Sequence, residues 1–191
     1  MESIIDTANA ICAHFSALPQ VKSCTIYGSI ASNSYDAYSD IDIAVDVSGS
    51  DNSIFARNVP ELLGGLYPVI FFDYAPSLMP ESYVVSIAIS AENPFRMVDI
   101  KCTATPHFTT LSRADFPMNR ADHTLKLFTA SLKHMLRAVY CAADITRMHK
   151  RVCGVSDTND PKEMMENVFR WLEENAEPRH QGFLHSLRKF R

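Results

Sequence analysis

The hydrophobic residues of this chain follow two kinds of spacing, which predict helices and strands in turn. Apolar residues recur every three to four positions from about Ser3 to Leu18 and predict an amphipathic helix that Pro19 ends. A second helix is expected over part of Ser53 to Leu66, with an interruption at Pro60. Shorter runs predict strands: Val21 to Tyr27, Asp40 to Val47, Tyr67 to Tyr74, Tyr83 to Ser90 and Phe95 to Thr103.

After Pro106 the pattern becomes helical throughout. A long helix is predicted from about Asn119 to Lys150, and Asp160-Pro161-Lys162-Glu163 predicts the start of another, with Asp as N-cap and Pro at the first helical position. A short helix is expected to carry Phe183, Leu184, Leu187 and Phe190. We therefore predict an α/β fold, a small mixed and twisted sheet flanked by helices, over residues 1–110, and a C-terminal helical bundle over residues 111–191.

The residues that predict chemistry are two short motifs on neighbouring strands. Tyr27-Gly28-Ser29 ends one strand, and Asp40-Ile41-Asp42 follows after a gap of ten residues. A glycine after a strand lets the backbone turn sharply and approach a phosphate, and the serine adds a hydroxyl. Two Asp at i and i+2 on a strand project from one face, about 7 Å apart at Cα. Their oxygens suit Mg²⁺ or Mn²⁺ rather than zinc.

The two motifs also have an interpretation without chemistry, as a surface turn followed by a strand whose polar edge carries Asp. Acidic residues are depleted in strands, so Asp40, Asp42 and Asp46 on one strand face call for an explanation, and metal binding provides one for the first two. Asp46 lies farther from the turn and is expected to be exposed or structural.

The two motifs together resemble the signature of the nucleotidyltransferase superfamily related to DNA polymerase beta. The segment Tyr38-Ser39-Asp40-Ile41-Asp42-Ile43 is especially similar to its small bacterial members, which include antibiotic-modifying enzymes and minimal nucleotidyltransferases. The resemblance covers about residues 1–105. It implies transfer of a nucleoside monophosphate from an NTP to a hydroxyl group, with ATP as the first candidate for the NTP. It also implies that Gly28 and Ser29 bind the phosphates.

The resemblance also implies residues beyond the two motifs. A third metal-binding carboxylate is expected on a later strand, where Asp99 is preferred and Asp73 is the alternative. A basic residue of the helical part often reaches the triphosphate in this superfamily, so Lys126 or Lys133 is a candidate nucleotide-binding residue. A solvated helix face explains these two lysines equally well.

Charge and composition narrow the partners. The formal net charge of -4 argues against a long nucleic acid, because phosphate contacts need a basic excess. We expect an NTP and a small hydroxyl-bearing acceptor instead. A partner protein, as for an antitoxin-type enzyme, a non-catalytic nucleotide-binding module and a homodimer all remain open. Five scattered cysteines and a start without a basic segment favour a cytoplasmic protein without disulfides or a secretory signal, and no apolar run predicts a membrane span.

Overall fold

The computed structural model of the chain describes residues 3–75, 81–107, 109–155 and 158–190. These residues form two compact units. The first comprises Met1–Ser90 with Arg96–Met118, and the second comprises Ala91–Phe95 with Asn119–Arg191. Whether residues 1–110 and 111–191 fold as separate domains stays a prediction.

The first unit begins with the predicted amphipathic helix, α1 (Ile4–Ser16). Ser3 caps it, since its hydroxyl oxygen accepts a hydrogen bond from the Asp6 amide at 3.0 Å. The helix buries Ala8, Ile11 and Phe15 completely. Its apolar spacing therefore gives the face by which α1 packs on the sheet.

A five-stranded mixed sheet forms the centre of this unit. The strands are β1 (Ser23–Tyr27), β2 (Ile41–Asp46), β3 (Phe71–Tyr74), β4 (Ser82–Ala88) and β5 (Met97–Thr103), in the spatial order β1-β2-β5-β4-β3. Only the β2–β5 pair is parallel, and the other neighbouring pairs are antiparallel. One helical turn, α2 (Gly28–Ala31), follows β1 directly.

One face of the sheet builds the core and the other carries polar residues. Along β2, the buried Ile41, Ile43 and Val45 alternate with the half-buried Asp42, Ala44 and Asp46. The buried set belongs to the hydrophobic core together with residues of α1 and α3 (Asn52–Gly64). Asp42 consequently projects from the face opposite this core.

Helix α3 differs from the prediction at Pro60, which lies within a continuous helix. Its start is fixed by Asp51, whose side chain accepts hydrogen bonds from the Ser53 and Ile54 amides. The second carboxylate oxygen of Asp51 accepts bonds from Thr110, which ties the segment after β5 to this helix. Burial alone would raise the pKa of Asp51, but the hydrogen bonds from Ser53 and Thr110 lower it overall.

The second unit is helical, with α4 (Arg120–Leu136), α5 (Ala142–Cys153), α6 (Pro161–Asn175) and α7 (Gln181–Arg188). The start of α6 confirms the prediction, because Asp160 caps it and Pro161 is its first residue. The single helix predicted from Asn119 to Lys150 is wrong: α4 ends at Leu136 and α5 begins at Ala142.

The break between α4 and α5 is a Schellman motif without its usual glycine. Ala138 has a positive φ of 56°. Its amide donates to the Met135 carbonyl at 3.0 Å, and the Val139 amide donates to the His134 carbonyl at 2.9 Å. Because alanine rarely occupies this conformation, the sequence carried no visible stop signal.

A buried polar network anchors the end of this unit to α4. Arg179 donates two hydrogen bonds to the Asp122 carboxylate, at 2.9 and 3.0 Å, and His180 Nε2 lies 2.9 Å from Asp122 Oδ1. Glu177 donates its backbone amide to His180 Nδ1 at 3.0 Å. Because the Asp122 side chain is almost fully buried, the two hydrogen bonds from Arg179 compensate a carboxylate that water can hardly reach.

The predicted fold class is confirmed: the described residues form a mixed sheet flanked by helices, followed by a helical C-terminal part. None of the helices in the described part of the chain combines the length and apolar character needed to cross a membrane.

Candidate active site

A transverse row of five residues, one from each strand, crosses the polar face of the sheet. Direct register pairs Tyr27 with Asp42, Asp42 with Asp99, Asp99 with Ser86, and Ser86 with Asp73. Residues paired in this way point to the same side of a sheet. The structure thus arranges the row as Tyr27, Asp42, Asp99, Ser86 and Asp73.

Asp42 and Asp99 are immediate neighbours in this row, on the one parallel strand pair. Adjacent strands lie about 4.8 Å apart, so the two side chains leave the backbone within reach of one ion. Asp73 lies three strands from Asp42, roughly 14 Å away, and is almost fully buried. Of the two candidates for the later carboxylate, Asp99 is the one beside Asp42.

The Gly28 turn lies directly against the Asp42 carboxylate. Gly28 has φ +68°, and a Cβ built on it would fall 2.1 Å from Asp42 Oδ2 and 2.9 Å from its Cγ. Only glycine avoids both the strained backbone conformation and the overlap. Gly28 therefore lets the backbone approach the Asp42 carboxylate closely, and its contact with a phosphate stays a prediction.

The Ser29 hydroxyl is buried and has no hydrogen-bond partner among the residues that the structure describes. Other groups fix the turn around it. Ser32 donates its hydroxyl to the Gly28 carbonyl at 3.0 Å, and the Ser34 amide donates to the Ser29 carbonyl at 2.9 Å. These bonds hold the backbone of the turn in place, and neither of them uses the Ser29 hydroxyl.

Asp40 stands just before β2, at the end of an ordered loop. The Asp36 carboxylate accepts hydrogen bonds from the Tyr38 amide at 2.9 Å and the Ser39 hydroxyl at 3.0 Å, and Ser39 is buried. These hydrogen bonds order the loop that leads into β2 and so fix the backbone position of Asp40.

The carboxylates of Asp40, Asp42 and Asp99 all act on the pKa of Tyr27. Burial is the main cause that raises the pKa of Tyr27 to about 12, and the negative charges of Asp42, Asp99 and Asp40 add to it. All three are thus close enough to disfavour a tyrosinate. Their mutual repulsion would be relieved by a cation.

Three features fit a divalent cation and a phosphate at this place. They are two neighbouring carboxylates with hard oxygen ligands, a glycine that leaves room for only a hydrogen atom, and the buried Ser29 hydroxyl, which has no partner among the described residues. Within the described ranges no three His, Cys, Asp or Glu side chains are gathered as a ready metal site. The arrangement is a carboxylate pair with Asp40 nearby, and the part of Asp40 as a ligand stays a prediction.

The two predicted lysines belong to the second unit. Lys126 and Lys133 are half-buried on α4, seven residues apart and so on one helix face. Both take part in further polar or electrostatic interactions within the protein. Their proposed contact with a triphosphate stays a prediction.

Sequence reasoning missed two residues on the polar face. Ser86 continues the row beyond Asp99, and Lys101 lies two residues after Asp99 on the same face, opposite Ala44. The alternation within β5 indicated Lys101, because residues two apart on a strand share a face. Ser86 gave no signal, since only the register of β4 against β5 brings it next to Asp99.

Asp46, expected to be exposed or structural, is structural: it is half-buried and its carboxylate accepts a hydrogen bond from the Ser48 amide at 2.8 Å. It shapes the turn that ends β2 and lies four residues from Asp42 on the same strand.

Comparison with protein families gives one match. Residues 6–78 match the nucleotidyltransferase domain. This range includes Gly28, Ser29, Asp40 and Asp42, and it ends before Asp99. The match confirms the resemblance predicted from the two motifs. No curated protein matches the chain.

Proposed function

We propose that this chain, whose residues 6–78 match the nucleotidyltransferase domain, transfers a nucleoside monophosphate from an NTP to a hydroxyl of a small acceptor and releases pyrophosphate. ATP is the first candidate for the donor. The observation that carries the proposal is the carboxylate pair of Asp42 and Asp99, with Gly28 packed against Asp42. The Ser29 hydroxyl, which follows Gly28, is buried and has no partner within the described part of the chain.

In this proposal the three carboxylates hold divalent cations. Asp42 and Asp99 would hold a cation from adjacent strands, and Asp40 would add a third carboxylate. Mg²⁺ or Mn²⁺, when bound there, would neutralise phosphate charge and stabilise the charge that develops during an in-line displacement.

Gly28 and Ser29 bind the phosphates that leave. The glycine lets the backbone approach an anion closely, and the Ser29 hydroxyl donates to a phosphate oxygen. Lys126 and Lys133 remain candidates for a further contact with the triphosphate, from the second unit.

Asp99 orients the acceptor and takes its proton. The acceptor oxygen forms a bond to the α-phosphorus, the bond from that phosphorus to the bridging oxygen of the β-phosphate breaks, and pyrophosphate leaves with the electron pair. The acceptor proton passes to the Asp99 carboxylate. The net charge of -4 favours a small acceptor over a long nucleic acid.

A pyrophosphate-release assay tests the proposal. The four ribonucleoside triphosphates are screened with Mg²⁺ or Mn²⁺ against a panel of hydroxylated antibiotics and metabolites, and the product is identified by mass. We expect one donor and acceptor pair to release pyrophosphate, and Asp42→Asn to lower the rate at least ~100-fold.

Asp46→Asn is the matched control, since it lies on the same strand and its role as acceptor for Ser48 is kept by asparagine. It should retain wild-type turnover. Near-normal turnover of Asp42→Asn, or equal losses in the two variants, would exclude the catalytic assignment of Asp42.

A further inference from the structure

Strand β4 contains one polar residue in its interior, and that residue is Ser86. Its neighbours along the strand are apolar, from Tyr83 to Ala88. Register puts Ser86 opposite Asp99 on one side and opposite Asp73 on the other. A hydroxyl thus stands between two carboxylates on the polar face of the sheet.

The Ser86 hydroxyl is buried, and none of the residues that the structure describes forms a hydrogen bond with it. The residue is 1% exposed, and its Oγ makes no hydrogen bond to any described residue. A buried hydroxyl that donates to nothing lowers the stability of the folded protein. Alanine would fill the same position on the strand without this penalty, so the hydroxyl is expected to find its acceptor in another state of the protein.

Asp99 is an acceptor within reach. Side chains directly opposite on antiparallel strands have Cβ atoms about 4.5–5.5 Å apart, so a rotation of either side chain brings a serine hydroxyl to a carboxylate. A carboxylate has two oxygens, and one that binds a cation commonly accepts a hydrogen bond through the other. Asp73 also lies next to Ser86. A hydrogen bond from Ser86 to Asp73 would not affect the carboxylate pair, because Asp73 lies roughly 14 Å from Asp42.

We propose that Ser86 is a positioning residue for Asp99. Its hydroxyl donates a hydrogen bond to one oxygen of the Asp99 carboxylate when a divalent cation occupies the Asp42–Asp99 pair, and so fixes the direction of the other oxygen. This inference rests on the proposed function, because it takes the pair to be the cation site. It requires no solvent access to Ser86, in keeping with the burial of that side chain.

Mn²⁺ binding to the full chain without nucleotide tests this inference, measured by calorimetry for wild type, Ser86→Ala and Ser86→Thr. Removing a partner of a metal ligand typically weakens metal binding about 10- to 100-fold. We expect a loss in this range for Ser86→Ala, and affinity close to wild type for Ser86→Thr, which keeps the hydroxyl. In metal-free buffer Ser86→Ala should resist denaturant as well as or better than wild type.

A second comparison separates positioning from a structural effect. In an Asp99→Asn background, Ser86→Ala should weaken Mn²⁺ binding no further, whereas in an Asp73→Asn background it should have its full effect. Mn²⁺ affinity of Ser86→Ala within twofold of wild type, or a full effect without Asp99, would overturn the inference. If wild type and Asp42→Asn bind Mn²⁺ equally, the cation site itself is wrong and the proposed function falls with it.

Discussion

Gly28→Ala should damage both the stability of the protein and its carboxylate pair. The added Cβ meets Asp42 at three atoms, at 2.1 Å from Oδ2, 2.9 Å from Cγ and 3.2 Å from Cβ. The last distance involves the root of the side chain, so a rotation of Asp42 alone cannot relieve the overlap. The new methyl group must displace β2, α2 or both.

The expected magnitude has two parts. A positive φ for a residue other than glycine costs about 1–2 kcal/mol, and overpacking costs typically another 1–3 kcal/mol. We therefore expect Gly28→Ala to lower the free energy of unfolding by about 2–5 kcal/mol. A displacement of about 1 Å at a catalytic group can cost ~100-fold in rate, so turnover should fall at least that far.

Gly49→Ala is the control for the backbone part. Gly49 also has a positive φ, of 93°, but a Cβ there meets no atom within 4 Å. Urea unfolding should give a smaller loss for Gly49→Ala than for Gly28→Ala. In an Asp42→Ala background the penalty of Gly28→Ala should shrink, because the two closest atoms are gone. Equal losses at Gly28 and Gly49, or no coupling to Asp42, would refute the close approach.

Three further predictions concern charge and backbone conformation. Because folding lowers the pKa of Asp51, its stabilising contribution is fully present above the ordinary pKa and is lost as pH falls through the lowered one. The stabilities of wild type and Asp51→Asn in acid unfolding should therefore begin to converge as pH falls below about 4 and meet only below the lowered pKa. Ala138→Gly should raise the free energy of unfolding by about 1 kcal/mol, measured in urea, and an unchanged value would contradict the strain at this position. Asp42→Asn should move the pKa of Tyr27 from about 12 part of the way toward its ordinary value, and an unchanged tyrosinate titration, read as a difference from Tyr27→Phe, would contradict the proximity of the two groups.

Local patterns were sufficient to predict the elements that carry the two motifs. The alternation around Asp40-Ile41-Asp42 predicted a strand with its acidic residues on one face, and β2 has this pattern of burial. Gly28-Ser29 predicted a turn after β1, which is where α2 begins. These features depend on sequence neighbours alone, which is why a single sequence indicated them.

Register between distant strands could not be predicted in the same way. Nothing in the sequence says that Asp99 lies opposite Asp42, or that Ser86 lies opposite Asp99, because these pairings depend on how β5 and β4 align in the sheet. Strand order in the sheet was therefore needed to tell which of Asp99 and Asp73 lies beside Asp42. The role of Asp99 as a metal ligand stays a prediction.

The two wrong expectations about helices concern Pro60 and Ala138. Pro60 lacks an amide hydrogen, which predicted an interruption, yet the buried face around Val59 and Leu63 holds α3 together. Ala138 ends α4 in a conformation that usually requires glycine. At Pro60 the packing of α3 outweighs the preference of a single residue, and at Ala138 two local backbone hydrogen bonds close the helix.

The central claim is that Asp42 and Asp99 hold a divalent cation beside the Gly28-Ser29 turn. Crystals grown with Mn²⁺ and a non-hydrolysable ATP analogue test it most directly, because manganese is located by its anomalous scattering. We expect an anomalous peak in contact with oxygens of both Asp42 and Asp99, with a phosphate oxygen within hydrogen-bond distance of the Ser29 hydroxyl. A peak bound elsewhere, or a nucleotide whose phosphates lie away from this turn, would contradict it.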